Sequence, residues 1–425
     1  MIKIFKDNIE IEQILNREIQ DYGEYEAIVK DIISNVRANG DKAVLEYSQR
    51  FDCPDLKTLE VTKEEIDDAY NKVNKDFIEI LKEAKANIEL FHKKQLKEGF
   101  KIEKDNGIIL GQKYTPIEKV GIYVPGGTAA YPSTVLMNAI PAKIAGVSQV
   151  IMVTPCGKNG KVKDEILAAA KLCGVDRVFK CGGAQAIAAL AYGTESIPAV
   201  YKIVGPGNIF VALAKKEVFG KVSIDMIAGP SEILIVADKS ANAEFIAADL
   251  LSQAEHDKLA TAVLVTDDSD LAERVSLCVE KRLEKLPRKE IARCSIDNNG
   301  KIIVVENIEK AVEISNSIAP EHLELCVEDP SYLLDKITNA GSIFMGHNTP
   351  EAIGDYFAGP NHTLPTGGSA KFSSPLSVDD FVKKSAFSYY PREATLEAMD
   401  KIAAVAYCEG LDAHAESVLT RGGKA

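Results

Sequence analysis

The stretch Val120-Gly-Ile-Tyr-Val-Pro-Gly-Gly127 decides the fold, because it joins a short apolar run to a glycine-rich turn. The apolar run has the length and composition of a buried strand. Residues 133–144 then have the pattern of a helix, and residues 147–153 that of a second strand. A strand, a turn, a helix and another strand make a βαβ unit, which predicts a parallel sheet.

The same alternation continues in two series of segments along the chain. The first series has further predicted strands at 177–180 and 200–204, between predicted helices at 163–172 and 185–192. The second series has predicted strands at 233–237, 262–265, 301–305, 323–327 and 342–345, with predicted helices at 241–253, 271–286 and 308–318. Strands that alternate with helices indicate an α/β protein with mainly parallel sheets.

The segments on either side of these series are predicted to be helical. Residues 66–97 contain no Gly or Pro and have apolar residues three and four apart, which indicates one amphipathic helix or two in succession. His92 in this segment is predicted to be exposed. Residues 27–51 form another helical pattern, interrupted at Gly40. Residues 378–386 and 392–410 are also predicted to be helical, in a tail too small for an independent core.

Composition limits the classes of protein to consider. A chain of 425 residues exceeds the size of one ordinary core, so we expect at least two domains. The formal net charge of −13 argues against a nucleic-acid-binding protein. The charged N-terminus and the lack of any apolar run near the ~20 residues of a membrane span predict a soluble, cytoplasmic protein. The eight cysteines form no CxxC pair, so we expect free thiols.

Histidine is scarce, and its distribution is uneven. Five of the six histidines follow residue 255, namely His256, His322, His347, His362 and His414. A single histidine is more often a structural hydrogen-bonding group than a ligand. Five in one half of the chain, close to carboxylates, favour a functional site there.

Two of these histidines lie in segments whose neighbouring residues suggest metal binding or acid/base chemistry. Gln253 and His256 are three apart at the predicted end of a helix, where they would share one face and could contact a metal ion together. Spacing alone equally nominates Glu255 or Asp257. The sequence Ala319-Pro-Glu-His322 places a carboxylate beside an imidazole just before a strand, which suits a general acid/base pair or, equally, a charged turn.

The remaining pairs and the glycine turns give weaker signals. Asp355 and His362 share one polar loop, and Glu409 and His414 flank Gly410, so each pair alone would be interpreted as surface charge. Glycine turns at 125–127, 182–183, 205–207 and 229–230 could bind phosphates at strand ends or could simply be tight turns. Because GxGxxG occurs nowhere, the motifs alone give little support to dinucleotide binding.

Taken together, the segments resemble the histidinol dehydrogenase family. The matching stretches occur in the family's order and span nearly the whole chain: 36–47, 120–127, 183–188, 204–208, 228–232, 253–257, 319–324, 354–355 and 361–365. The resemblance implies two successive NAD-dependent oxidations, from L-histidinol through histidinaldehyde to L-histidine, with one Zn²⁺ per subunit.

The resemblance also implies roles for individual residues. The implied zinc ligands are Gln253, His256, Asp355 and His414, and the implied acid/base pair is Glu321 and His322. The implied NAD contacts are Tyr123, Gln185 and Asn208. The implied substrate contacts are Ser231, Gln253, His256, His322, Asp355, Glu409 and His414. The role of His362 stays open.

The fold implied by the resemblance is α/β, with two incomplete Rossmann-like parallel-sheet domains and helical N- and C-terminal extensions. The implied boundaries are an N-terminal extension at 1–18, a discontinuous catalytic domain at 19–100 and 232–376, an NAD-binding domain at 101–231 and a tail at 377–425. The tail is expected to be exchanged between the subunits of a homodimer. The alternatives are a related zinc and NAD enzyme acting on another amino alcohol or diol, and a zinc hydrolase with Glu321 as its base.

Overall fold

The structure, a computed structural model, describes residues 1–6, 22–126 and 130–423. In chain order, its strands are β1 (Lys3–Lys6), β2 (Phe100–Glu103), β3 (Ile109–Pro116), β4 (Lys119–Tyr123), β5 (Gln149–Thr154), β6 (Arg177–Lys180), β7 (Lys202–Val204), β8 (Ser223–Ile224), β9 (Glu232–Ala237), β10 (Thr261–Thr266), β11 (Lys301–Val304), β12 (His322–Cys326), β13 (Ser342–Met345) and β14 (Val382–Tyr389).

The α-helices in the described residues are α1 (Gly23–Phe51), α2 (Lys63–Lys72), α3 (Lys75–Lys93), α4 (Pro132–Ala145), α5 (Asp164–Cys173), α6 (Gly183–Tyr192), α7 (Ile209–Val218), α8 (Ala243–Ala254), α9 (Ser269–Leu283), α10 (Lys289–Asn299), α11 (Ile308–Ile318), α12 (Pro330–Leu334), α13 (Glu351–Ile353), α14 (Arg392–Cys408) and α15 (Asp412–Leu419). A π-helical turn at Gly354–Ala358 follows α13 directly. These elements form two compact units, one of residues 1–95 and 117–381 and the other of residues 96–116 and 382–425.

The first sheet of the larger unit is parallel and has the strand order β6-β5-β4-β7-β8. β4, from the stretch that predicted the fold, lies at its centre, and Val120 and Ile122 are fully buried. Helices α4 and α5 pack together on one face, and α6 and α7 pack together with α1. Right-handed crossovers on the two sides of the central strand place these two groups of helices on opposite faces.

The second sheet of the larger unit is also parallel, with the order β1-β11-β10-β9-β12-β13. Helices α8, α9 and α10 pack on one face, and α11 and α12 on the other. β12 starts at His322, which pairs in register with Ile233 near the start of β9. Two parallel sheets covered by helices confirm the predicted α/β class.

The smaller unit contains an antiparallel sheet in the order β14-β3-β2, with α14 and α15 packed together around Ala403, Ala406 and Ala415. The prediction of a helix at 378–386 is wrong, because a 3₁₀ turn at Val378–Phe381 leads into β14. Every residue of β14 pairs with β3, and this tertiary pairing overrides the local helical pattern. The predicted helix beginning at Arg392 is confirmed.

The predicted N-terminal helices are confirmed in outline. α1 contains a non-helical Gly40, with φ 52° and ψ −134°, where the sequence predicts an interruption. The segment 66–97 is two helices, α2 and α3. Most of the predicted extension at 1–18 lies outside the described residues, and β1 within it was not predicted. The domain boundaries stay a prediction.

His92 is buried, and the prediction that it is exposed is wrong. It continues the inner face of α3 four residues after Ile88, and its Nδ1 lies 2.7 Å from Oε1 of Gln95. Burial lowers the pKa of His92. The residue is therefore a structural histidine of the helix packing.

Two further expectations concern cysteines and membranes. All eight cysteines are free thiols, as predicted. In the part of the chain that the structure describes, we find no helix with the length and apolar character needed to cross a bilayer.

A buried ion pair fixes the turn after β7. Lys215 of α7 pairs with Asp225, and both side chains are almost fully buried. The Lys215 Nζ donates to the carbonyl oxygen of Gly205 at 3.0 Å, and Asp225 accepts from the Gly205 backbone N–H at 2.7 Å. Gly205 has φ 113°, and a side chain there would overlap the backbone of Tyr123. The pair thus holds the turn 205–208 against the end of β4.

Replacing Asp225 by Ala should leave the Lys215 ammonium buried without its partner, which costs about 3–5 kcal/mol. Urea denaturation of the variant and the parent protein measures this loss. The matched control is Glu26→Ala, which removes the exposed partner of Lys216 and should change the free energy of unfolding by less than about 1 kcal/mol. Equal effects of the two substitutions would contradict a structural role for the buried pair.

Candidate active site

The second sheet positions Glu321 and His322 at the amino-terminal end of β12. α11 ends at Ile318, and its C-cap Ala319 has a left-handed backbone (φ 52°) that is uncommon for a residue with a side chain. Pro320 then redirects the chain into the strand. Strained turns of this kind persist where the surrounding structure fixes them, often at functional sites. Both side chains at this turn are buried.

His322 is surrounded by acceptors and carboxylates. Its Nδ1 lies 3.0 Å from the carbonyl oxygen of Glu232, so this nitrogen carries a proton and donates. The same atom lies 3.6 Å from Oε2 of Glu321 and 3.9 Å from Oε2 of Glu351. Its Nε2 lies 3.7 Å from Oδ1 of Asp355, too far for a hydrogen bond, and has no such partner among the described residues.

The charges around His322 make the imidazole basic. Burial alone would lower its pKa, but Glu321, Asp355 and Glu351 outweigh burial and raise the pKa to about 10. The ring is also stacked on Phe344, with centroids 6.1 Å apart. At neutral pH an imidazole with this pKa is protonated, so Nε2 carries a proton that it can donate, and it becomes a base of fixed direction once that proton has left.

Glu321 is a carboxyl group that titrates close to neutral pH. Burial raises its pKa to about 7, although the His322 charge opposes this shift. Its Oε2 accepts from the Glu232 backbone N–H at 2.9 Å. A carboxyl group with this pKa can both accept and release a proton at neutral pH, which suits general acid/base chemistry.

Glu351 is a buried member of the site that the sequence analysis missed. Burial raises its pKa to about 7, and it accepts from the Ser252 hydroxyl at 2.6 Å. When the Gln253 amide is oriented for its best hydrogen bonds, its nitrogen donates to Oε2 of Glu351 at 3.2 Å and its oxygen accepts from the Glu232 N–H at 3.1 Å. A glutamate after Pro350 at a helix start is typical of a solvent-exposed residue, so no sequence signal marked it.

Glu324, which is buried, and Asp249, which is half-buried, form a second carboxyl pair beside Glu351. Glu324, in the middle of β12, accepts from the Glu351 backbone N–H at 2.9 Å. Burial and the neighbouring Asp249 raise the pKa of Glu324 well above its usual value, and burial raises the pKa of Asp249 to about 6. Two carboxyls this close favour sharing one proton.

The implied metal ligands of the larger unit come together beside His322. Gln253 ends α8, and the His256 backbone N–H donates to its carbonyl oxygen at 3.1 Å. Asp355 lies in the π-helical turn, and its backbone oxygen is 3.0 Å from Nδ1 of His362. Burial lowers the pKa of His256, and the Asp355 charge opposes this shift. His362 thus contacts the backbone of an implied ligand.

These donors fit Zn²⁺ by their chemistry, since imidazole nitrogen and carboxylate or amide oxygen are ligands of this ion. No group of three or more His, Cys, Asp or Glu side chains in the described ranges is arranged to hold a metal ion. The fourth implied ligand, His414, is exposed and belongs, with Glu409, to the smaller unit. The larger unit therefore carries only part of the implied ligand set.

Three further residues considered in the sequence, Ser231, Asp257 and His347, make the following contacts. Ser231 immediately precedes β9, and its carbonyl oxygen accepts from the Thr261 N–H at 3.0 Å. Asp257, one alternative to Gln253, accepts from the Leu259 N–H at 2.8 Å in an exposed turn. His347 is 3.1 Å from the Ser240 hydroxyl.

A separate cavity of about 1040 Å³ lies at the carboxyl ends of the first sheet's strands. All three residues implied as NAD contacts, Tyr123, Gln185 and Asn208, line it. Asn208 caps α7 by accepting from the Phe210 N–H at 3.1 Å, and the Tyr123 hydroxyl accepts from the Gly183 N–H at 3.1 Å. Glycine turns and the amino termini of two helices here form a cradle suited to phosphates.

Comparison with known proteins decides the family. The model of the histidinol dehydrogenase family matches residues 15–422. The chain is 56% identical to a histidinol dehydrogenase of Clostridium acetobutylicum over 96% of this chain and 95% of that protein. It is 53% identical to one of Bacillus cereus, over 99% and 96% of the two chains.

The chain belongs to the histidinol dehydrogenase family. A crystal structure of histidinol dehydrogenase from Elizabethkingia anophelis superposes with a TM-score of 0.94 at 39% identity, covering 99% of this chain and 98% of that one. The predicted family, fold and enzyme class, an NAD-dependent dehydrogenase, are therefore confirmed. The roles of individual residues stay predictions.

Gly354 offers a test of how tightly the site is packed. It has ordinary helical angles, but a Cβ atom there would overlap the ring of Phe344, which stacks on His322. Gly354→Ala should therefore displace His322 and lower kcat about tenfold or more, since small misplacements of catalytic groups are costly. Steady-state kinetics measures this loss.

The control for this prediction is a compensating change in the neighbour. Phe344→Leu in the Gly354→Ala background makes room for the added methyl group and should recover most of the activity. The Phe344→Leu single variant should be only mildly impaired. A double variant no more active than Gly354→Ala would show that the ring contact is not the cause.

Proposed function

We propose that this protein oxidises L-histidinol to L-histidine through histidinaldehyde and reduces two NAD molecules per substrate. The observation that carries the proposal is the buried Glu321–His322 pair, with a free imidazole nitrogen 3.7 Å from Asp355, in a chain of the histidinol dehydrogenase family. An amino alcohol or diol other than histidinol is the alternative substrate, and direct comparison of turnover decides between them.

The first step converts the alcohol to the aldehyde. His322 in its neutral form, after loss of the Nε2 proton, accepts the hydroxyl proton at that nitrogen while the carbon loses a hydride to NAD, so one NADH and one proton form. The backbone oxygen of Glu232 holds the other ring nitrogen and fixes the direction of the free one. This arrangement supplies a base of fixed orientation, as alcohol oxidation requires.

The second step converts the aldehyde to the carboxylate. Glu321 accepts a proton from a water molecule, whose oxygen bonds to the aldehyde carbon to give the anion of the hydrate. Loss of a second hydride from that carbon to NAD then gives the acid. Because the Glu321 pKa lies near 7, the carboxyl group can release the proton afterwards at neutral pH.

NAD is proposed to bind in the cavity of the first sheet, with Tyr123, Gln185 and Asn208 as contacts. Zn²⁺ is proposed to be held by Gln253, His256 and Asp355 together with His414. When bound, the ion would orient nitrogen atoms of the substrate as a template. Ser231 is proposed as a further substrate contact.

The tail is proposed to be shared in a homodimer. Glu409 and His414 belong to the smaller unit, and both side chains are exposed. We infer that they complete the site of the partner subunit, where the Glu409 carboxylate would accept a hydrogen bond from the substrate imidazole.

The test of the function counts NADH formed per substrate. The parent protein should form two NADH per L-histidinol. Glu321→Gln should slow oxidation of supplied histidinaldehyde about 100-fold or more, and oxidation of histidinol to aldehyde much less, because only the second oxidation needs activated water. Glu328→Gln, at an exposed glutamate beyond the opposite end of β12, is the control and should behave like the parent.

Two results would contradict this assignment. If the protein forms no NADH from histidinol in the presence of zinc, the proposed reaction is wrong. Equal slowing of both oxidations by Glu321→Gln would show that Glu321 does not act specifically by activating water.

The zinc ligands are tested by metal content. His256→Ala and His414→Ala should each lower the zinc that remains bound per subunit after gel filtration, because each removes one donor. Mass spectrometry of the metal measures this loss. His347→Ala, which removes a histidine outside the site, should retain the zinc of the parent protein. Undiminished zinc in either test variant would remove that residue from the ligand set.

The shared tail is tested with the same variants. Protomers carrying His414→Ala and protomers carrying His322→Ala should each be inactive. Heterodimers of the two should recover activity, since one of their sites receives an intact His322 from one chain and an intact His414 from the other. Purified heterodimers without activity would contradict exchange of the tail.

A further inference from the structure

Asp52 is a carboxylate in the cavity wall that the proposed mechanism does not use. It follows α1 directly, and its backbone N–H donates to the Ser48 carbonyl oxygen at 2.9 Å. It lines the same cavity as Tyr123, Gln185 and Asn208. Its Oδ2 is shielded from solvent and has no hydrogen-bond partner among the described residues. A buried acceptor of this kind is costly unless a donor reaches it.

Two cations line the cavity near the end of α1, and one of them, Lys158, acts on the Asp52 carboxylate. The Lys158 Nζ donates to the Phe51 carbonyl oxygen at 3.2 Å, and the Arg50 guanidinium lies 5.3 Å from the centre of the Phe51 ring. Burial raises the pKa of Asp52 to about 6, and the Lys158 charge opposes the shift, so the group is mostly a carboxylate at neutral pH. It can therefore accept a hydrogen bond from a ligand.

The wall formed by the end of α1 faces the adenosine half of the proposed NAD site. α1 packs with α6 and α7 on one face of the first sheet. The turn that contains Asp355 packs against α3, and Asn361 donates to the carbonyl oxygen of Met137 in α4, on the opposite face. The nicotinamide must approach the reacting carbon beside Asp355, so the adenosine must occupy the more remote wall.

The donor that fits this position is a ribose hydroxyl. Phosphates carry no donor at neutral pH and are suited to the amino termini of α6 and α7. Acidic side chains in other dinucleotide-binding sites accept from the 2′-hydroxyl of the adenosine ribose. A 2′-phosphate in the same place would remove the donor and put a second negative charge against the carboxylate.

We propose that Asp52 accepts a hydrogen bond from the 2′-hydroxyl of the adenosine ribose and thereby selects NAD over NADP. This inference rests on the proposed NAD site. Neutralising Asp52 removes the repulsion and leaves Arg50 and Lys158 available to a 2′-phosphate. Asp52 is thus a specificity-determining residue contributed by α1, outside the βαβ series that forms the rest of the cavity.

The first experiment uses the parent protein and needs no substitution. Isothermal titration calorimetry measures binding of NAD, of its analogue with 2′-deoxyadenosine, and of NADP. Loss of a hydrogen bond to a charged group should weaken binding of both the deoxy analogue and NADP about tenfold or more relative to NAD. Equal affinity for NAD and the deoxy analogue overturns the proposal, whatever the variants do.

The second experiment assigns the preference to Asp52. Asp52→Asn should weaken NAD binding about tenfold and reduce the preference for NAD over NADP by a similar factor. In the variant, NAD and the deoxy analogue should bind almost equally, because the two changes remove the same contact. Asp55→Asn removes an exposed charge three residues away, does not line the cavity and should leave all affinities unchanged.

The outcomes separate this proposal from the one on which it rests. A variant that discriminates against the deoxy analogue as strongly as the parent does overturns the role of Asp52 and leaves the NAD site standing. A parent protein that binds none of the three ligands overturns both. Circular dichroism establishes that the variants are folded, and if Asp52→Asn is not, the calorimetry of the parent protein decides.

Discussion

The burial of the His322 imidazole among the carboxylates of Glu321, Glu351 and Asp355 is the interaction on which the site depends. Burying one charge is costly, and burying several is tolerated only where each has a partner. Here the imidazole is the common partner, Oε2 of Glu321 also accepts from the Glu232 backbone N–H, and Oε1 of Glu351 accepts from the Ser252 hydroxyl. Because His322 and Glu232 begin neighbouring strands, the parallel pairing of β12 with β9 fixes this geometry.

The cavity of the first sheet and the Glu321–His322 pair of the second sheet lie at opposite kinds of strand end, carboxyl and amino. The cavity proposed for NAD lies at the carboxyl ends of the first sheet's strands, where open parallel sheets ordinarily bind ligands. Glu321 and His322 lie instead at the amino end of a strand in the second sheet. In the proposed mechanism the second sheet therefore supports the acid/base groups, while the first sheet forms the nucleotide site.

Whether a strand or a site residue could be predicted from the sequence depends on its burial and on its distance from recognisable motifs. Strands such as β4 and β9 were predictable because buried parallel strands are continuous apolar runs. β14 was not, because its residues are largely exposed and only pairing with β3 makes it a strand. His322 was found because it follows a carboxylate in a family segment, whereas Glu351 looks like an ordinary helix-start residue. Asp52 gave no signal, since it is far in sequence from the glycine turns of its cavity.

The absence of GxGxxG has a structural explanation in this cavity. That motif concentrates phosphate binding in one turn at the start of one helix. Here the wall combines the turns after β4, β6 and β7, and two helices, α6 and α7, begin at it. The Lys215–Asp225 pair holds the last of these turns rigid by anchoring both backbone polar groups of Gly205. Dispersed backbone donors of this kind are suited to phosphates without a compact motif, so a motif search alone underestimates the capacity of this fold for a dinucleotide.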